Sequence, residues 1–350
     1  MRKYKSSLEN AVLNDDSSIK VYENLVQVIN DSLGANHEFM NLKKKMLNKN
    51  DMHLYDIYLN PVEKVQSKTT FEDSRKEVLE ALSVLGNDYT EILNEAFENR
   101  WVDVYEKPNK RSGAYSLGVY GIHPYVLLNF TGDTRDTSVI AHELGHAIHS
   151  YYSNSNQNII DSNYTIMVAE VASTVNELLL SHYQINKETD KSKKAALIYE
   201  MLEMIRATLF RQTMFAEFEK IIHEKISNNE SLSSENLCDI YYELNKKYFG
   251  DSVIIDEEIK YEWARIPHFY SCFYVYKYAT GITSAIAIAS KIIKGEEGYT
   301  NKYKDMLKLG CTKKSIELLK LVDVDLETKE PYESAIKFFK DNLKELKSLC

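Results

Sequence analysis

Ala141-His142-Glu143-Leu144-Gly145-His146-Ala147-Ile148-His149 is the stretch on which the reading of this chain turns. It carries HExxH inside a run of helical periodicity, with Val139, Ile140, Leu144, Ala147 and Ile148 as apolar positions. Four residues make a little over one helical turn, so His142 and His146 project from one face and can share a single zinc ion. Glu143 stands beside the pair, within reach of a water activated there. The stretch predicts the centre of a zinc hydrolase.

Two further His-Glu pairs act as internal controls. His37-Glu38 and His223-Glu224 have Asn41 and Ser227 where a second histidine would be required, so they read as ordinary surface residues. A catalytic zinc takes three protein ligands and leaves one position open, so a third ligand is needed. His149 shares the face of His142 but lies about 10 Å farther along the helix axis, too far for one ion to bind both. It suits a packing or supporting role. Downstream, Glu170 and Glu177 are seven residues apart on one stripe of a second helix, among Ala169, Ala172 and Val175. A carboxylate on such a buried stripe is costly unless it is paired or bound to metal.

With 5 Pro and 12 Gly in 350 residues there is no linker-like stretch, low-complexity run or repeat, which favours one continuous body. The 52 acidic against 43 basic residues leave a net charge of -9, which argues against sequence-independent binding to nucleic acid or to an anionic membrane. Cys238, Cys272, Cys311 and Cys350 are scattered, without CxxC spacing, and read as reduced thiols of a cytoplasmic protein. The opening MRKYKSSLENAVLNDD has no apolar core of a signal peptide, and the apolar run at 282–293 is too short to span a membrane.

The expected fold is mainly α, a large helical zincin-type metallopeptidase domain with one small β-sheet beside the HExxH helix. Residues 1–98 read as helical: Val21, Leu25, Val26, Val28, Ile29 and Leu33 form one stripe, and a second helical stretch from about Thr70 carries Val78, Leu79, Leu82, Leu85, Ile92, Leu93 and Phe97. Residues 99–132 hold the strand signals, at Trp101-Val102-Asp103-Val104-Tyr105 and Tyr125-Val126-Leu127-Leu128-Asn129-Phe130. Residues 133–350 return to helix, opened by an N-cap cluster of Asp133, Thr134, Asp136, Thr137 and Ser138. If 123–130 is an edge strand, its free backbone groups pair with an extended peptide, which makes His123 and Tyr125 candidate substrate-binding residues.

These motifs closely resemble the oligoendopeptidase F branch of the thimet oligopeptidase family of zinc metallopeptidases. The resemblance rests on His142-Glu143-Leu144-Gly145-His146-Ala147-Ile148-His149-Ser150-Tyr151-Tyr152 and on Val168-Ala169-Glu170-Val171-Ala172-Ser173-Thr174. It extends upstream to Asn99-Arg100-Trp101-Val102-Asp103-Val104-Tyr105 and Arg111-Ser112-Gly113-Ala114-Tyr115-Ser116, and downstream to Arg265-Ile266-Pro267-His268-Phe269-Tyr270. It implies one Zn2+ per chain held by His142, His146 and Glu170, with Glu177 orienting a ligand histidine and Glu143 as general base. Members of this branch usually carry a further N-terminal helical lobe, and this sequence begins well inside the family pattern.

The segment 267–281 offers imidazole and hydroxyl donors for an oxyanion, with Tyr274 and Tyr278 four apart on a helical face and His268 just before it. On spacing alone an aromatic helix of this kind is more often core. The resemblance implies that a histidine and tyrosines of this segment stand over the zinc, which selects His268, Tyr274 and Tyr278 and leaves Tyr270 and Tyr276 as packing residues. The implied activity is endopeptidase cleavage of short unstructured peptides, without nucleic-acid or membrane partners; oligomeric state has no signature in the sequence. The competing expectations are a zinc-containing peptide-binding fragment without turnover and a helical zinc carboxypeptidase.

Overall fold

The computed structural model describes residues 3–62, 68–133 and 135–350. Thr134, named above in the N-cap cluster, lies outside the described residues. In chain order the first helices are α1 (Ser7–Asn14), α2 (Ile19–Asp31), α3 (Leu33–Met46), α4 (Phe71–Leu82) and α5 (Asn87–Glu98). Three strands follow, β1 (Val102–Tyr105), β2 (Tyr115–Leu117) and β3 (Tyr125–Phe130). Two long helices come next, α6 (Asp136–Asn156) and α7 (Ile166–Lys187). The remainder is α8 (Lys191–Ile205), α9 (Arg211–Ser227), α10 (Ser234–Phe249), α11 (Tyr276–Ile293), α12 (Tyr299–Leu307), α13 (Ser315–Lys320) and α14 (Glu330–Leu349). The mainly helical class with one small sheet is as the periodicity indicated.

The described residues group into two compact units. One comprises Met1–Lys64, Asp190–Thr283 and Asp325–Cys350; the other Val65–Thr189 and Ser284–Val324, counting only described residues within these bounds. The sequence pointed to one continuous body, because each unit is made of distant segments and no Pro- or Gly-rich linker marks a crossing. One crossing falls inside α11 itself.

In the first unit, α2 buries Val21, Leu25, Val26, Val28 and Ile29, as the sequence stripe indicates, and Tyr22 besides, while Leu33 opens α3. The Tyr22 hydroxyl donates to the Ala216 carbonyl on α9 at 2.5 Å, and the Tyr332 hydroxyl of α14 donates to the Val21 carbonyl at 3.1 Å. These bonds let large phenol rings fill the core without stranding a polar atom.

In the second unit, Thr70 caps α4 by accepting from the Asp73 N–H at 3.1 Å. The sheet has the order β1-β3-β2, with β1 parallel and β2 antiparallel to β3. Val126 and Leu128 point into the core and Tyr125 out of it, the period-two alternation of a strand. This order corrects the edge-strand expectation: β3 is the central strand, registered on one side as Val102↔Val126 and on the other as Ser116↔Val126. Its backbone is committed to two neighbours, so peptide pairing along β3 through His123 and Tyr125 has no free edge to use. The outer strands are β1 and β2, and β2 is only three residues long.

Candidate metal centre

A glycine brings the two site helices together. A Cβ on Gly145 of α6 would lie 2.6 Å from the Ser173 Cα and 2.8 Å from the Ala172 carbonyl oxygen of α7. The backbones therefore touch at the middle of the motif, an approach that only a residue without a side chain permits. On either side the helices are stitched. Asn176 donates to the Ala141 carbonyl at 3.1 Å and accepts from the Tyr89 hydroxyl of α5 at 2.9 Å, with both Asn176 and Tyr89 fully buried. The contacts run in opposite chain directions, 145 with 173 and 141 with 176, so Glu170 and Glu177 come to flank the histidine pair.

His142, His146 and Glu170 offer one ligand atom each within a 4.8 Å group. The two facing Nε2 atoms are 3.2 Å apart. Two nitrogens bound to one tetrahedral zinc at about 2.0–2.1 Å would be about 3.4 Å apart, so the spacing fits that ion. Their other sides are held by α7: His142 Nδ1 meets Glu177 Oε2 at 3.0 Å, and His146 hydrogen-bonds to the Ala169 backbone. The Glu177 contact fixes the imidazole so that Nε2 is the free donor atom, the usual arrangement of a metal-bound histidine. A hard carboxylate with two imidazoles is a donor set suited to zinc. His142, His146 and Glu170 are the residues that would hold it.

The protonation pattern follows from burial and charge. Burial disfavours a charged His142, but the hydrogen bond and charge of Glu177 outweigh it and raise the imidazole to about 9. Burial, with the charge of His142 next to it, lowers His146 to about 3. Burial raises the carboxyls of Glu143 and Glu170 above the usual range against the opposing pull of His142. Glu143 is 8% exposed and sits beside the pair with enhanced proton affinity.

His149 is placed elsewhere. Its ring is buried and stacks on Tyr164 at 3.7 Å, and Tyr164 in turn bonds Ser150 at 2.7 Å. His123 stacks flat on Trp101 at 5.3 Å and touches Tyr125 at 4.6 Å, forming an aromatic cluster beside the sheet rather than a peptide-pairing edge.

The remaining candidates belong to the first unit. His268 lies in a short 3-10 turn, Pro267–Tyr270, and Tyr274 stands before α11, which starts at Tyr276. Tyr274 and Tyr278 thus do not share one helical face as expected, and Phe273, just before Tyr274, has φ +55°, outside helical backbone. The three side chains nevertheless meet. His268 stacks on Tyr274 at 5.8 Å, Tyr274 and Tyr278 are edge-on at 5.5 Å, and Tyr278 Oη lies 3.5 Å from His268 Nε2. Pro267, His268, Ser271 and Tyr274 line a hollow of about 220 Å³. Tyr276 packs in the core, its hydroxyl on Asp15 at 2.9 Å, but Tyr270 is 87% exposed and is not a packing residue.

Sequence reading passed over Gly145, Asn176 and Ser138. A glycine inside an apolar helix was the available signal for the first, since it weakens a helix by about 1 kcal/mol unless packing needs it. Ser138 reads as one of the N-cap cluster. The helix in fact starts at Asp136, whose Oδ2 accepts from the N–H groups of Thr131, Gly132 and Asp133 at 2.7, 2.8 and 3.1 Å. Asp133 Oδ1 accepts from the Arg135 N–H, the helix has no side-chain cap, and the Ser138 hydroxyl turns to Glu177 instead.

Residues 1–338 match Peptidase family M3. The chain is 46% identical to "Oligopeptidase PepF" of Bacillus subtilis over 349 residues, all of this chain and 52% of the relative. It is 41% identical to the "Oligoendopeptidase F homolog" of Borreliella burgdorferi, over 99% of this chain and 59% of that protein. The solved structure of oligoendopeptidase-F from Enterococcus faecium superposes with a TM-score of 0.79 at 32% identity, covering 99% of this chain and 56% of that one. The chain thus spans about half the length of the curated relatives it matches.

Proposed function

The chain belongs to peptidase family M3, and from that premise we propose that it is a zinc-dependent endopeptidase acting on internal bonds of short, unstructured oligopeptides. The observation that carries the proposal is the pairing of the His142, His146 and Glu170 donor set with a buried Glu143 on the same helix turn. A zinc ion held there supplies Lewis acidity for the scissile carbonyl and acidifies a nearby water. Glu143 takes the proton of the attacking water and returns it to the leaving amine, and its raised proton affinity suits both halves of that task. Glu177 keeps His142 in one tautomer throughout. His268, Tyr274 and Tyr278, whose side chains already meet, are assigned as hydrogen-bond donors to the developing oxyanion.

Among the described residues no helix is long and apolar enough to cross a membrane. A cytoplasmic location accords with the four free cysteines.

The test uses an internally quenched peptide and mass spectrometry of the products. Zinc-loaded protein is expected to cut within the peptide, and Glu143→Gln to keep its zinc while losing turnover by about 10²-fold or more. Removal of single C-terminal residues would identify a carboxypeptidase instead. Tight peptide binding without cleavage by the wild-type chain would identify a binder.

A further inference from the structure

Ser138 lies on α6 one turn before His142, so the two side chains share a face. Its hydroxyl donates to Glu177 Oε1 at 3.2 Å, while Glu177 Oε2 meets His142 Nδ1 at 3.0 Å. One carboxylate of α7 thus bridges two successive turns of α6, with a separate partner for each oxygen. Among the described residues no lysine or arginine pairs with Glu177, so the serine is what holds its second oxygen. All three side chains are partly buried, and that of Glu177 is 18% exposed.

A carboxylate tethered at one oxygen can swing about that contact and carry the imidazole with it. Tethered at both, it has a fixed plane. The plane matters because His142 Nε2 has to point to the place where His146 Nε2, 3.2 Å away, and Glu170 also converge. We propose that Ser138 is a positioning residue of the metal centre, pinning Glu177 so that Glu177 holds His142 in its ligating orientation. The proposal rests on the zinc reading given above and adds to it a residue that touches neither metal nor substrate. Its position near the helix start suggests a cap, yet α6 has no side-chain cap and the Ser138 hydroxyl goes to Glu177.

The experiment is a zinc competition titration of the full chain against a chromophoric chelator, run with thermal melts of the metal-free protein. Ser138→Ala is expected to weaken zinc binding about tenfold, the lower end of what loss of such a supporting contact costs, while the metal-free melting temperature stays at the wild-type value. In a Glu177→Ala background the same substitution is expected to add no further loss, because the residue through which it acts is gone. Wild-type zinc affinity in Ser138→Ala, an equal loss in both backgrounds, or a fall in affinity matched by a lowered metal-free melting temperature would each overturn the proposal. These results are distinguishable from failure of the zinc reading itself, in which the wild-type chain takes up no zinc, or His146→Ala and Glu170→Ala bind it unchanged. That outcome would remove both.

Discussion

Gly145 and Ser173 hold α6 and α7 at backbone contact, with 2.6 Å between the Ser173 Cα and the place a Cβ would occupy on Gly145. The atoms in the way are backbone, so a new methyl group cannot be accommodated by a rotamer change and the helices have to part. Alanine is the better helix former by about 1 kcal/mol, but overpacking of this kind costs about 1–3 kcal/mol or more. Gly145→Ala is therefore expected to lower the melting temperature and, by moving Glu170 away from the histidine pair, to weaken zinc binding at least tenfold. A variant with wild-type zinc affinity in the same titration would show that the helix spacing does not set the site.

Metal should couple to stability, because the three donors come from two helices and converge only in the folded chain. Zinc at 100 times its dissociation constant is expected to raise unfolding free energy by about 2.7 kcal/mol, reversibly on addition of chelator. His146→Ala and Glu170→Ala should lose this increment, whereas Glu143→Gln should keep it. Urea unfolding with and without zinc measures the difference; the same midpoint in both conditions for the wild-type chain would contradict a site built by folding.

How much of this was legible beforehand depended on whether the chemistry forces local spacing. Zinc needs histidines one turn apart, so His142 and His146 stand out in the sequence; a buried carboxylate needs a reason, which marks Glu170 and Glu177 alike, and the family resemblance selects Glu170 between them. Pairing order carries no such local mark: β3 has the alternation of a half-buried strand whether it lies at an edge or in the centre, and β2 is too short to announce itself. The left-handed backbone at Phe273 was invisible for a related reason, since a bulky residue there is held by its surroundings and not by its own preference. The two units were hidden as well, because α11 carries the chain across without a change in composition.

Asn176 tests the stitching of the helices apart from the metal. Its amide bridges the Tyr89 hydroxyl and the Ala141 carbonyl, all buried. Truncation to alanine strands the phenol and removes one partner of the carbonyl, a loss of about 2–3 kcal/mol. Denaturant unfolding of metal-free Asn176→Ala should show it as a lower midpoint with an unchanged slope; a midpoint within error of wild type would mean that the bridge does not contribute.

Glu219 supplies a pH dependence away from the metal. It is 1% exposed on α9, with Oε1 accepting from the Phe273 N–H at 2.7 Å and Oε2 buried without a partner among the described residues. Burial pushes its carboxyl up to about 8, against the opposing effects of the Phe273 N–H and the charge of Lys277. In the unfolded chain the same group titrates near 4.5. Below that pH the group is protonated in both states and costs nothing. As pH rises from about 4.5 to about 8 the unfolded chain releases a proton that the folded chain retains, so stability falls across this window, on the order of a few kcal/mol, and levels off above it. Glu219→Gln keeps an acceptor for Phe273 without the proton. The difference between variant and wild-type unfolding free energy should therefore grow from pH 4.5 to 8 in favour of the variant, and parallel stability curves for the two would show that Glu219 keeps an ordinary carboxyl inside the fold.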